Sequence, residues 1–161
     1  MVAQGFLAPI LVGGGAVELY TASAITTGDF DVVTGRQAEF EKALTALGFV
    51  KPEGLGHTPL GWLHPTLGLG FEVVSSSLLG GMADRERVRL VDLDVDGSAE
   101  VISVEDIIAD RMGQFASGTA PDMLHQAQTL FTLYRDADLG YLEQRIRYET
   151  GGDFGVDDIQ Q

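Results

Sequence analysis

An apolar run from Phe6 to Val12 breaks into Gly13-Gly14-Gly15 and resumes as Ala16-Val17-Glu18-Leu19-Tyr20. A strand that passes at once into a helix needs backbone free of side chains at the junction, so the segment reads as strand, tight turn, helix. A second strand is expected at Asp29-Phe30-Asp31-Val32-Val33, followed by a helix over Gln37 to Leu47 with Phe40, Leu44 and Leu47 at helical spacing and Gly48 as its terminator. This strand–helix–strand–helix opening belongs to a sheet covered by helices.

Farther along, Leu69 to Val74 and Val88 to Leu93 read as strands, with a turn at Asp94-Val95-Asp96-Gly97-Ser98. Pro52 to Gly70 is rich in glycine and proline, carries His57, Trp62 and His64, and is expected to be a hairpin or a surface loop. Ser103 opens a helix as its N-cap, with Asp106 three positions later; two more helices follow, one from near Pro121 and one from about Leu139 to Tyr148. The expected fold class is thus α/β (α+β), a mixed twisted sheet with a C-terminal helical region. Its 161 residues are read as a single domain: a sheet core over 1–100, a helical subregion over 101–150 and a flexible tail over 151–161.

The chemistry is narrowed by what the chain lacks. Without cysteine there is no disulfide, thiolate ligand or cysteine nucleophile, so a bound metal is held by oxygen or imidazole, which suits hard cations. A formal charge of −14 repels polyanions and argues against long duplex nucleic acid as a partner. No apolar run is long enough to cross a bilayer and no signal-peptide order opens the chain, so no membrane partner and a cytoplasmic location are expected.

Alternate strand residues share a face, so Asp29 and Asp31 project together while Phe30 and Val32 turn inward. Two carboxylates one pleat apart repel each other, and a divalent cation between them removes that cost. Glu72, between Phe71 and Val73, brings a third carboxylate to the same edge if its strand lies beside the first; a glutamate facing water on an edge strand accounts for it almost as well. Gly13 and Gly14 let backbone N–H groups approach an anion at a helix N-terminus, although taken alone they are simply a strand–helix turn. Joined to the acids, they supply the parts of metal-assisted phosphoryl or nucleotidyl transfer.

Val12-Gly13-Gly14-Gly15-Ala16, then Thr27-Gly28-Asp29-Phe30-Asp31-Val32, then an acid on a later strand resembles the pattern of the small nucleotidyltransferase (polymerase-beta-like) superfamily. The threonine-containing segment is similar to that of the abortive-infection type of nucleotidyltransferase toxins and related minimal nucleotidyltransferases. Glu105-Asp106, Arg111 and Asp122 look like the positions of a Glu-Asp pair, a basic residue and a helix-initial acid in that family.

The resemblance implies a nucleotidyltransferase-type sheet and a transferase that moves a nucleoside monophosphate from a triphosphate such as ATP to a hydroxyl acceptor. Asp29, Asp31 and Glu72 would be catalytic and hold Mg2+ or Mn2+; Gly13, Gly14, Thr27 and Arg111 would bind the nucleotide. The acceptor is left open among a small molecule, a protein and a tRNA end, and a toxin-like role implies a cognate antitoxin or a homo-oligomer. Two departures stand out: Ile25 replaces an arginine common in relatives, and Arg111 replaces a lysine. With the short N-terminus, Ile25 supports an alternative, a catalytically silent nucleotide- or partner-binding module. Outside the pattern, Ser75-Ser76-Ser77 is read as a loop or a phosphate lining, and Arg85, Arg87 and Arg89 as a positive stripe on one strand face or a salt-bridged edge.

Overall fold

The computed structural model describes residues 1–52 and 61–160; His57 lies outside them. Among the described residues six strands form one sheet: β1 (Ile10–Val12), β2 (Asp29–Val33), β3 (Trp62–Leu63), β4 (Gly70–Ser75), β5 (Arg89–Asp92) and β6 (Ser98–Val101). Six helices accompany them: α1 (Gly13–Tyr20), α2 (Gln37–Ala46), α3 (Val104–Ala116), α4 (Met123–Leu133), α5 (Leu139–Glu149) and α6 (Val156–Ile159). The strand order is β3-β4-β2-β1-β6-β5, with β2 parallel to β4, β1 parallel to β6 and the other neighbours antiparallel. The fold is α+β with a mixed sheet, as expected. Among the described residues, no helix is long and apolar enough to cross a membrane.

Pleating divides the apolar residues between two cores. Ile10, Val12 and Val33 face α1, α3, α4 and α5 and join Val17, Ile107, Met112, Leu130, Leu142 and Ile146 in the main core. Alternate residues on the other face build a smaller core in which Val32 meets Phe40 and Leu44 of α2, with Phe49 and Phe71. Phe71 stacks on Phe30 at 5.1 Å between ring centres and takes the edge of Phe49 at 5.5 Å. These aromatic contacts fix β4 against β2 and therefore set the register of whatever the opposite face carries.

Four expectations require correction. No turn separates β1 from α1: the helix begins at Gly13 itself, whose φ of +59° lets the chain leave the strand directly. The segment after the 94–98 turn continues as β6, which pairs with both β1 and β5. Arg85 and Arg87 sit in a 3-10 turn, Arg85–Arg87, and Arg89 alone belongs to β5, so the three do not share a strand face. The tail past Thr150 is packed: Val156 and Ile159 of α6 are buried, while Glu143 accepts the N–H of Val156 at 2.6 Å and Asp158 that of Gly155 at 2.8 Å. The described part of the Pro52–Gly70 segment is a hairpin, with β3 antiparallel to β4.

Candidate active site

The parallel pairing of β2 with β4 sets Asp29 opposite Gly70, Phe30 opposite Phe71 and Asp31 opposite Glu72. Directly paired residues on neighbouring strands point to the same side of a sheet, so Asp29, Asp31 and Glu72 share a face. Phe30 and Phe71 hold the other side of the same pairs. The condition attached to Glu72, a strand beside that of the aspartates, is met.

Glycines make room for these carboxylates. A Cβ at Gly13 would collide with Asp31 Oδ2, and one at Gly70 would stand 2.5 Å from Asp29 Oδ1. Gly14 makes the same allowance for Thr27, whose Cγ2 lies 2.7 Å from where a Cβ would be. The first turn of α1 contains no acidic residue and Val12 gives it no side-chain cap, so the amides of Gly13 and Gly14 open the helix beside Asp31. Thr27 is tied down by Glu18: Thr27 N–H donates to Glu18 Oε2 at 2.9 Å, and Thr27 Oγ1 donates to the Asp29 carbonyl at 3.3 Å. Glu18 was not identified from the sequence, since nothing in its spacing from Thr27 signals a contact.

Gly13, Gly14 and Asp31 border a cleft of about 350 Å³ whose wall is one face of α3, presenting Ile107, Asp110, Arg111 and Gln114; Asp29, Glu72 and Thr27 lie outside its lining. Val33, Ser75, Ser77 and Leu79 line the rest of it, so two of the three serines read as a loop or phosphate lining do border the cleft. Leu79 adopts φ 42°, ψ 51°, a left-handed conformation that costs a side-chain-bearing residue energy and often marks functional rims.

Arg111 is 5% exposed, with Nη2 3.2 Å from Asp110 Oδ2 and Nη1 3.2 Å from Met123 Sδ. Its Nε is buried without a hydrogen-bond partner, an omission that costs on the order of 1–3 kcal/mol and suits a ligand oxygen.

The acids of the cleft are held in tension. Burial pushes the Asp31 carboxyl above its ordinary value, the Glu72 charge adds to this, Arg111 opposes it, and Asp29 and Asp110 raise it further. Burial likewise raises Asp110, against Arg111 and the amide of Gln114, which donates to Asp110 Oδ2 at 2.9 Å. Among the described residues, no three carboxylate or imidazole groups are already gathered as a metal-ligand cluster. Asp29, Asp31 and Glu72 nevertheless offer only oxygen donors on one face, the type a hard divalent cation takes, and their mutual repulsion is what such a cation would cancel.

No family model matches the chain, and no curated protein matches it in sequence. Solved structures do match in shape. The antibiotic-resistance factor ANT(2'')-Ia, an aminoglycoside nucleotidyltransferase, superposes with a TM-score of 0.57 at 16% identity over 88% of this chain and 81% of its own. An antigenic nucleotidyltransferase-like protein from Paracoccidioides brasiliensis gives 0.57 at 14% identity over 90% of this chain and 80% of its own. The chain has a nucleotidyltransferase-type fold.

Within that nucleotidyltransferase fold the remaining candidates lie elsewhere. Glu105 and Asp106 point away from the cleft into the α3–α5 contact: Asp106 meets Arg145 Nε at 2.8 Å, and Glu105 accepts the Asp138 N–H at 3.0 Å. Asp122 precedes α4 without capping it. His64 accepts the Leu67 N–H through Nδ1 at 3.2 Å and lays its ring against Phe49, a turn-stabilising role. Trp62 packs on the smaller core and Ile25 on the main one. Arg85, Arg87 and Arg89 pair with Glu100, Asp138 and Glu105, which is the salt-bridged edge.

Proposed function

We propose that the chain is a divalent-metal-dependent nucleotidyltransferase that moves a nucleoside monophosphate from a triphosphate such as ATP to a hydroxyl acceptor. The observation that carries this reading is the β2–β4 register, which sets Asp31 opposite Glu72 and one pleat from Asp29, beside the first turn of α1. The nucleotidyltransferase structures that share the fold support it.

In this reading Asp29 and Asp31 hold Mg2+ or Mn2+ through carboxylate oxygens. The amides of Gly13 and Gly14 donate to the triphosphate, where the helix N-terminus favours negative charge. Thr27, braced by Glu18, keeps the segment before Asp29 against Gly14. Arg111 turns its free Nε–H to a phosphate oxygen. Glu72 takes the proton of the acceptor hydroxyl, whose oxygen bonds to the α-phosphorus as the bond to pyrophosphate breaks. The cation, when bound, withdraws charge from the phosphate oxygens and lowers the pKa of the hydroxyl.

The similarity of Thr27 to Asp31 to the abortive-infection toxins extends the proposal to a toxin-like, cytoplasmic enzyme with a cognate antitoxin. A charge of −14 favours a small-molecule or protein acceptor over an extended RNA surface.

A second reading, a silent nucleotide-binding module, is favoured by one feature of the cleft. Arg111 is the sole cation among its described lining residues and is already shared with Asp110, while Ile25 adds no charge. Incubating the protein with labelled nucleoside triphosphates, magnesium and candidate acceptors separates the two. Metal-dependent label transfer that Asp31→Ala lowers by about a thousandfold or more supports the enzyme. Saturable triphosphate binding without transfer supports the module, and neither transfer nor binding sinks both.

A further inference from the structure

The sheet end opposite Asp29 carries a second cavity, of about 270 Å³, bordered by Phe6, Thr34, Gly35, Arg36, Ser76 and Arg85. In a chain with 24 acidic and 10 basic residues, two guanidiniums and, among the described residues, no carboxylate border this cavity.

Arg36 makes no ion pair among the described residues, whereas Arg87, Arg145 and Arg147 each lie within 3.0 Å of a carboxylate oxygen. Its guanidinium carbon lies 5.4 Å from the centre of the Phe6 ring, a contact that orients the cation without neutralising it. Arg85 has only a long contact, Nη2 to Glu100 Oε2 at 3.5 Å, with half of its side chain exposed. Among the described residues Arg36 is unpaired, and Arg85 is held only loosely.

The backbone around them is fixed. Buried Thr34 donates its N–H to the Ser75 carbonyl at 3.1 Å, and its Oγ1 accepts the Arg36 N–H at 3.1 Å. Gly35 has no atom within 4 Å of the place a Cβ would occupy, so backbone is open to a ligand there. Ser76 faces this cavity while Ser75 and Ser77 border the catalytic cleft, so the extended serine segment forms a partition between the two.

We infer that this cavity is an oxyanion-binding site whose ligand is a small molecule bearing a phosphate group. The unpaired guanidinium of Arg36, the loosely paired one of Arg85, a serine hydroxyl and open backbone match a tetrahedral dianion, and a carboxylate would use less of that charge. A liquid water occupies about 30 Å³, so a cavity of 270 Å³ holds a phosphate with a small body attached. A long polyanion would meet the repulsion of a −14 chain beyond the cavity. The site stands independently of whether the neighbouring cleft catalyses.

An amide NMR titration of the full chain with inorganic phosphate, and separately with acetate, at constant ionic strength tests this. Saturable phosphate shifts are expected at Gly35, Arg36 and Ser76, weakening about tenfold in Arg36→Gln and in Arg85→Gln, partly retained in Arg36→Lys, and unchanged in Asp31→Ala. The variants' own spectra report that they fold. Shifts confined to Gly13 and Gly14, binding that survives loss of both arginines, or acetate binding as tightly as phosphate would each overturn the assignment.

Discussion

The two sides of α3 use the same residue types to opposite ends. Toward α5, Asp106 is 1% exposed and accepts from Arg145 Nε at 2.8 Å, Ser103 Oγ at 2.6 Å and Tyr141 Oη at 3.0 Å. Arg145 in turn reaches Glu149, and neighbouring Glu105 caps the start of α5 through Asp138. Toward the cleft, Arg111 is as deeply buried but shares one carboxylate and leaves Nε unpaired, and Asp110 and Asp31 are pushed toward protonation. A network whose partners are all present holds the helix in place; one with an unmet donor and crowded acids leaves polar groups whose cost is not offset within the fold.

The sharpest way to break this contrast is Asp106→Ala. It takes the partner from the buried Arg145 Nε and the acceptor from the Ser103 and Tyr141 hydroxyls, so the expected loss is about 3–5 kcal/mol, against little for an exposed pair. For a domain of this size that is on the order of 10 °C in Tm, readable by thermal and urea denaturation. A loss below about 1 kcal/mol would show that Asp106 is worth no more than a surface charge.

Gly13→Ala should have the next largest effect. Its φ of +59° and the Asp31 carboxylate over its open side both exclude a Cβ, so a cost of about 1–3 kcal/mol is expected, together with loss of magnesium- and nucleotide-dependent stabilisation. Gly35→Ala serves as the comparison, because nothing lies near its Cβ position and its stability should stay within about 0.5 kcal/mol of the parent. Equal costs at the two glycines would mean that Asp31 does not depend on the room Gly13 gives it.

What the sequence disclosed follows from which contacts are local. Asp29 and Asp31 are separated by one pleat and Gly13 and Gly14 lie at a strand–helix junction, so their geometry is written within a few residues. Ser103 and Asp106 form a cap visible as a three-residue spacing, and the cap is present, with Ser103 Oγ accepting the Asp106 N–H at 3.1 Å. The β6 strand escaped because Ser98-Ala99-Glu100-Val101 is too short, and Ala99 too small, for its alternation to stand out; it forms by pairing with β1 and β5. The packed tail escaped for the same reason, since α6 is anchored by Glu143 from the preceding helix. Glu18 and Asp110 act through a loop nine residues away and through a helix face, neither of which leaves a pattern along the chain. Arg85 and Arg87 have the alternate spacing of a strand, but Asp84 accepts the Glu86 N–H and turns the chain there.

The smallest of these effects is opposite in sign. Asp31→Asn should raise metal-free stability by about 1 kcal/mol, the gain expected when a crowded functional charge is removed. Burial and the Glu72 charge set the folded pKa of Asp31 above its unfolded value, so ionising it costs folding energy at neutral pH, and that cost is relieved as pH falls through the folded pKa. The advantage of Asp31→Asn should therefore shrink on acidification, which Tm measured from pH 8 to about pH 4 would reveal. Magnesium should reverse the ranking, raising the Tm of the wild type at neutral pH and leaving that of Asp31→Asn unmoved, because a cation offsets the repulsion that the amide has already removed. A variant less stable than the parent without metal, or equally stabilised by magnesium, would place Asp31 among the satisfied acids on the other side of α3 and remove the cleft's claim to a cation.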